Sequence, residues 1–125
     1  DLDPVRIGDD TELIRYCYRV SAAVGLMLAP LLGIRDPAAL VRAVDLGIAL
    51  HLSNILLGVR ADAGRNRVYL PATRLARHGL GSDAVLAGAD HAALRPVLQE
   101  LAELADIYYR SAEAAAWRAG LPAAM

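Results

Sequence analysis

The chain has 125 residues, a length that suits one compact domain. Thirteen basic and fourteen acidic residues give a formal net charge of −1, which excludes the broad basic field of a typical nucleic-acid-binding protein. The single cysteine, Cys17, excludes an intrachain disulfide and a cysteine metal cluster. Because the chain starts with Asp1 and shows no signal peptide, we expect a piece of a longer protein, or a processed chain, from a cytoplasmic setting.

Hydrophobic residues make up 56% of the chain, a high share for a short soluble protein. The longest apolar stretch covers residues 20–34 and contains a proline and two glycines. It is shorter than the roughly 18–20 uninterrupted apolar residues that span a bilayer. We interpret it as a buried core helix, with a peripheral membrane contact left open.

The first half of the chain predicts two long helices, and no segment of the chain keeps a period-2 alternation. A capping-box spacing at Asp9 and Glu12 predicts a helix from about residue 11 to 29, ended by Pro30 and Gly33. A second helix is predicted to begin at the Asp-Pro pair of residues 36–37 and to end at about residue 61.

The second half predicts a polar loop over residues 63–70 and then shorter elements. Pro71 should open a short helix, and Ser82 and Asp90 have the character of further caps. A last helix is predicted over about residues 91–118. Pro96, in its second turn, should cause a kink or a late start because it removes a backbone hydrogen bond.

The two long helices are apolar on nearly every face, over residues 20–32 and 44–59. Helices of this kind are normally surrounded by other helices. Three or four helices cannot easily surround two of their own number. We therefore expect an oligomer or additional chain to cover them.

A polar stripe interrupts one face of the second predicted helix. The spacing i, i+3, i+4, i+7, i+11 places on this face His51, Asn54, Ile55, Gly58 and Asp62. Polar groups on an otherwise apolar helix must face solvent, a polar partner or a ligand. The stripe is therefore a candidate binding site.

Arginines follow the stripe at Arg60, Arg65 and Arg67, with Tyr69 just beyond. Guanidinium groups grip phosphate oxygens in pairs, and a neighbouring carboxylate suits a Mg²⁺–diphosphate. The spacing also fits an ordinary helix-end ion pair of Asp62 with Arg60 or Arg65, with His51 and Asn54 as core polar groups that have partners within the protein. Both interpretations stay open on spacing alone.

Four segments resemble the squalene and phytoene synthase family. "RYCYRVSAAVGLM" (15–27) is similar to its tyrosine-rich helix, usually YCYxVAGxVG. "LGIALHLSNILLGVRADAGRNRVYLP" (46–71) is similar to its second aspartate-rich motif, usually LGxALQLTNILRDVxEDxxRGRxYLP. "LARHGL" (75–80) and "YYRSAE" (108–113) resemble later helices, so the resemblance is collinear over most of the chain.

The resemblance implies an all-α, isoprenoid-synthase-type helical bundle. Residues 1–125 would form a single helical domain of about four to five helices, or a fragment of a larger one. It also implies a Mg²⁺-dependent synthase of isoprenoid, carotenoid or terpene biosynthesis. Its substrate would be farnesyl or geranylgeranyl diphosphate, and its location cytoplasmic or membrane-peripheral.

The resemblance also carries expected roles for residues of the second motif. Asp62 matches the second acid, a catalytic and metal-binding position, and Asn54 matches a second metal ligand. The loop residues Arg65, Arg67 and Tyr69 would bind substrate.

Further expected site residues come from the tyrosine-rich helix and from the start of the polar stripe. Tyr16 is expected to be catalytic. The small residues Ala22, Ala23 and Gly25 would line an apolar prenyl channel that excludes water from a carbocation. His51 is expected to contact the substrate.

Several positions depart from the usual motif. The first acid is replaced by Gly58, the usual arginine by Leu57, a further acid by Ala61, the usual glutamine by His51, and the glycine between the loop arginines by Asn66. The first aspartate-rich motif does not occur in this chain. These departures favour an alternative, a catalytically inactive family member acting as a helical binding or assembly protein. A fragment of a complete enzyme is the third interpretation.

Overall fold

The computed structural model describes residues 4–33 and 35–118, and this part of the chain contains six helices and two short strands. In chain order the elements are β1 (Val5–Arg6), α1 (Asp10–Leu32), α2 (Pro37–Leu57), α3 (Val59–Gly64), β2 (Arg67–Val68), α4 (Ala72–Arg77), α5 (Ser82–Leu86) and α6 (His91–Arg118). The predicted all-α class is confirmed. The parallel pairing of β1 with β2 was not predicted, because two residues are too few to show alternation.

The starts of the long helices follow from their capping residues. The Asp9 side chain accepts a hydrogen bond from the Glu12 backbone N–H at 2.9 Å, and the Glu12 carboxylate accepts one from the Gly8 N–H at 3.0 Å. At the start of α2, the Asp36 side chain accepts a bond from the Ala38 N–H at 3.1 Å. These bonds satisfy donors that the first helical turn leaves unpaired, and they confirm both predicted starts.

Two predicted boundaries are wrong. The first helix continues two residues beyond Pro30. Gly81, not Ser82, occupies the N-cap position of α5, where no side chain supplies a capping bond. The predicted bounds of the last helix are confirmed, since α6 covers His91–Arg118; it contains Pro96, and of the two alternatives expected there the late start does not occur.

The second predicted helix is broken at Gly58, where α2 ends and α3 begins. Gly58 has φ −99° and ψ 8°, away from helical values. Helical hydrogen bonds nevertheless cross the break, from the Gly58 N–H to the Asn54 carbonyl at 2.9 Å and from the Asp62 N–H to the Gly58 carbonyl at 2.8 Å. The helical spacing of apolar residues therefore continues through the break, so the sequence pattern does not show where α2 ends.

The core joins α1 and α2 to the later elements. Its fully buried side chains include Leu13, Cys17, Leu52, Leu75, Val97 and Leu101. The segment predicted as a polar loop contributes to this core as well, since Val68, Tyr69 and Leu70 are buried. The prediction of a polar loop over residues 63–70 is therefore wrong for its second half.

A charged cluster fixes α4 against α1 and α6. The Arg74 guanidinium donates to the Asp10 carboxylate at 2.8 and 2.6 Å and to the Glu100 carboxylate at 2.8 Å. Its side chain is only 16% exposed. Charge-assisted bonds in such partial burial are stronger than surface ion pairs, so Arg74 holds α1, α4 and α6 in register.

Large apolar side chains remain exposed on the two long helices. The exposed fraction is 74% for Met27, 81% for Leu31 and 88% for Leu57. With 21 residues and a mean hydropathy of 1.5, α2 is long and apolar enough to cross a membrane. Core helices of soluble proteins meet the same criterion of length and composition.

The backbones of α1 and α2 approach closely at Ser21 and Gly47. A Cβ atom at Gly47 would lie 2.8 Å from the Ser21 Cβ and 2.9 Å from its Oγ. Ser21 is itself buried. Glycine is therefore required at position 47 to keep the two helices at this separation.

Replacing Gly47 with alanine should destabilise the fold. We expect Gly47→Ala to lower the free energy of unfolding by about 1–3 kcal/mol, because the helices must separate to admit a methyl group. Urea unfolding provides the measurement. Gly64→Ala is the matched control, since no atom lies within 4 Å of a Cβ at that position. Equal stability of the two variants would contradict the close approach.

Candidate functional site

Three aromatic side chains meet where α1, α2 and the segment after β2 come together. The ring centroid of Tyr16 lies 5.4 Å from that of His51 and 5.2 Å from that of Tyr69. The Tyr16 hydroxyl also donates a long, 3.5 Å hydrogen bond to the Tyr69 hydroxyl. We call Tyr16, His51 and Tyr69 the aromatic cluster. It unites residues from the two motifs that the sequence resemblance singled out.

Burial keeps two members of the aromatic cluster uncharged. Desolvation, helped by the hydrogen bond to Tyr69, raises the pKa of Tyr16 to about 12. Desolvation also lowers the pKa of His51, against the opposing influence of the Asp62 carboxylate. At neutral pH the cluster therefore presents a protonated phenol and a neutral imidazole.

Asp62 lies close to Gly58 and Arg65. Its Oδ1 atom is 3.8 Å from the Arg65 Nη1 atom, and its side chain is 22% exposed against 66% for Arg65. A Cβ atom built on Gly58 would lie 3.1 Å from the Asp62 Oδ2 atom. The carboxylate thus occupies space beside the position where the family usually carries another acid.

The loop arginines differ in their surroundings. Arg65 is exposed, whereas Arg67 is partly buried and lines a small cavity together with Asp62 and Tyr69. The positive charge of Arg67 acts on Tyr16 and opposes the rise in its pKa. The positive charge of Arg67 therefore lies close enough to the aromatic cluster to influence Tyr16.

The side chains at this site supply the smallest set of protein ligands with which Mg²⁺ is commonly bound. Mg²⁺ is commonly bound through one or two carboxylates, with substrate phosphates and waters completing the octahedron. Asp62 supplies one carboxylate, and the exposed Asn54 could add an amide oxygen. Among the described residues, no group of three or more His, Cys, Asp or Glu side chains could hold a metal ion.

The other predicted site residues lie elsewhere. Ile55 is 4% exposed and belongs to the core rather than to a polar face. Ala22 lines an apolar groove of about 260 Å³ between α1 and α2, and Tyr16 is not among the residues lining that groove. Ala23 is exposed. Gly25 lies on α1, and its surroundings lie outside the described part of the structure.

One contact at the site has no counterpart in the sequence predictions. Arg6, on β1, donates hydrogen bonds to the backbone carbonyl and to the side chain of Asn66, between the two loop arginines. The contact links residues sixty positions apart. No local pattern at Arg6 could have indicated it.

Comparison with known proteins agrees with the motifs. The model of the squalene/phytoene synthase family matches residues 1–124. This chain belongs to the squalene/phytoene synthase family. A 15-cis-phytoene synthase from Enterobacter agglomerans is 46% identical over 114 residues, 91% of this chain and 36% of that protein. A phytoene synthase from Thermus thermophilus is 44% identical over 88% of this chain and 38% of its own length.

Solved structures of the family share the fold. A dehydrosqualene synthase crystallised with a ligand has a TM-score of 0.75 at 33% identity, over 86% of this chain and 38% of that one. A squalene synthase from Alicyclobacillus acidocaldarius has a TM-score of 0.79 at 18% identity, over 86% and 41% of the two chains. The isoprenoid-synthase-type bundle is confirmed. The chain spans just over a third of the curated relatives that it matches.

Burial of His51 makes stability depend on pH. The folded chain holds the pKa of His51 below its ordinary 6.5, so the unfolded chain binds more protons as the pH falls through that value. The wild-type chain should therefore lose stability relative to His51→Gln between about pH 7.5 and about pH 5. Unfolding free energies of the two proteins across this range provide the measurement.

His91→Gln is the control for that comparison, because His91 is exposed at the start of α6, outside the cluster. Its pH profile should follow that of the wild-type chain. Parallel profiles for His51→Gln and the wild type would instead contradict the burial of a neutral imidazole.

Proposed function

We propose that this chain is part of a Mg²⁺-dependent synthase that ionises a prenyl diphosphate in isoprenoid or carotenoid biosynthesis. The observation that carries the proposal is the meeting of Asp62 and Arg67 with Tyr69, a member of the aromatic cluster, around one small cavity. Family membership supports it, as do the phytoene synthase names of the relatives. Farnesyl and geranylgeranyl diphosphate are the proposed substrates.

The diphosphate would be bound at the loop arginines. The contact between Arg65 and Asp62 is loose at 3.8 Å, and Arg65 is 66% exposed. A pair this open contributes little to stability, so its guanidinium can turn to phosphate oxygens at small cost. Arg67 adds a second positive charge nearer to Tyr16. Two guanidinium groups can grip a diphosphate at several oxygens.

Asp62 would hold the metal, and Asn54 is the proposed second protein ligand. When bound, Mg²⁺ neutralises the charge that develops on the departing diphosphate. Gly58 leaves this face one acid short of the usual motif. Asp62 would therefore have to bind the metal alone at a position where the usual motif provides two acids.

The aromatic cluster suits a reaction that passes through a carbocation. A phenol with a pKa of about 12 stays protonated, and a neutral imidazole adds no charge. The faces of tyrosine rings attract cations through their quadrupole. Tyr16 and Tyr69 can thus stabilise positive charge on a prenyl chain without providing an ionised oxygen to react with it.

The apolar part of the substrate needs an apolar wall. Beside the close contact of the two long helices, the partly exposed residues are Val20 and Val24 on α1 and Leu46 and Leu50 on α2. We propose this surface as the contact for the prenyl chain. Because the prenyl chain of the proposed substrate is insoluble in water, we propose a cytoplasmic protein with a peripheral contact to the membrane.

An inactive binding or assembly protein is the alternative function. The missing acid at Gly58 favours it, and so do the exposed apolar side chains of α1 and α2. It predicts no release of pyrophosphate together with self-association or partner binding through those helices. Analytical ultracentrifugation alongside the activity assay separates the two functions.

The first test is release of pyrophosphate from farnesyl and geranylgeranyl diphosphate with and without Mg²⁺. We expect release that depends on Mg²⁺ and that falls by about 10²–10³ in Asp62→Ala, because a positioned charge is lost. Asp83→Ala, which removes an exposed acid of α5, should keep wild-type activity. No release from the wild-type chain, or equal release from both variants, would contradict the proposal.

Restoring the acid at position 58 is the second test. The new Cβ would lie 3.1 Å from the Asp62 Oδ2 atom, so Gly58→Asp brings two carboxylates together. Turnover at limiting Mg²⁺ should rise by about tenfold, because paired acids bind the cation more tightly. Gly58→Asn is the control of equal shape without the charge. An unchanged rate in Gly58→Asp would show that position 58 does not face the metal.

A further inference from the structure

Asn66 has an unusual backbone conformation in the loop that carries Arg65 and Arg67. Its φ is +61°, and it is the non-glycine residue with positive φ in the described part of the chain. The usual family motif has glycine at this position, where the left-handed conformation has no steric cost. Asparagine tolerates that conformation better than most residues, but it needs a local stabilising contact.

Arg6 supplies that contact from the other strand. The Arg6 Nη1 atom donates to the Asn66 carbonyl at 2.8 Å, and the Nη2 atom donates to the Asn66 side-chain oxygen. The same Nη1 atom also donates to the Val5 carbonyl at 2.7 Å, so the guanidinium bridges β1 and the loop. A planar fork that bonds one residue at two points restricts both its backbone and its side chain.

Backbone hydrogen bonds place this contact at the start of the parallel pairing between β1 and β2. The Val5 N–H donates to the Asn66 carbonyl at 3.3 Å, and β1 pairs in parallel with β2 from Val5 opposite Arg67. Asn66 itself donates to the Ala63 carbonyl at 3.0 Å, at the end of α3. The residue held by Arg6 therefore lies in the short connection between α3, which carries Asp62, and β2, which begins at Arg67.

We propose that Arg6 is a positioning residue for diphosphate binding. By holding Asn66 in its left-handed conformation, it fixes the directions in which the neighbouring Arg65 and Arg67 leave the backbone. The role rests on the proposed function, since the loop arginines are the proposed diphosphate ligands. Arg6 and Asn66 would thus replace, by a side-chain contact, the backbone freedom that glycine usually provides.

The test measures affinity for inorganic pyrophosphate with Mg²⁺ by calorimetry on the 125-residue chain. Arg6→Ala should weaken binding by about tenfold, because the loop arginines lose their fixed orientation. Arg15→Ala is the matched control. Arg15 is an exposed arginine lining the same surface depression as Arg6, and its loss should change affinity less than about twofold.

A second background separates positioning from direct contact with the anion. In Asn66→Gly, glycine adopts positive φ unaided, so the effect of Arg6→Ala should shrink to about threefold or less. If Arg6 instead bound pyrophosphate itself, its removal would cost the same in both backgrounds. That additivity would overturn the proposal.

Amide hydrogen exchange of the ligand-free chain completes the test. Exchange at residues 65–67 should be about tenfold faster in Arg6→Ala and unchanged in Arg15→Ala. Faster exchange with unchanged affinity would make Arg6 a merely structural residue and would overturn the proposal. Failure of the proposed function itself is distinct, because the wild-type chain would then not bind pyrophosphate before any variant is compared.

Discussion

The close contact of Ser21 with Gly47 is the constraint on which the arrangement of this molecule depends. It sets the separation of α1 and α2, because a single methyl group at position 47 would meet the Ser21 side chain at 2.8 Å. The separation in turn decides how far Tyr16 lies from His51, since the two rings belong to these two helices. A backbone feature with no chemistry of its own therefore determines the geometry of the aromatic cluster.

Much of the fold could be predicted from local signals. The capping bonds of Asp9 and Asp36 follow from residue type and spacing, and both occur as expected. The break at Gly58 could not be predicted, because hydrogen bonds of helical spacing continue across it. The burial of Tyr69 also escaped prediction, since it depends on packing with α1 and not on the polar residues that precede it.

For the candidate site, the two motifs identified residues that meet in the structure, but the sequence predicted neither their contacts nor the direction of each side chain. Tyr16 and Tyr69 are far apart in the chain and meet in the structure. Ala22, predicted from the same helix as Tyr16, lines a different groove, because successive positions on a helix face different directions. The contact of Arg6 with Asn66 spans sixty residues and had no sequence signal at all.

The departures from the usual motif gain meaning when they are considered together. Gly58 removes a charge beside Asp62, and His51 adds an imidazole that burial keeps neutral. Only the change at Gly58 removes a formal charge, which leaves the Asp62 carboxylate of α3 facing the positive charge of Arg65 in the following loop. A site with few fixed negative charges has weaker metal binding but also less repulsion for a diphosphate. In such a site the orientation of the loop arginines matters more than in one with two acids, because they must supply a larger share of the attraction.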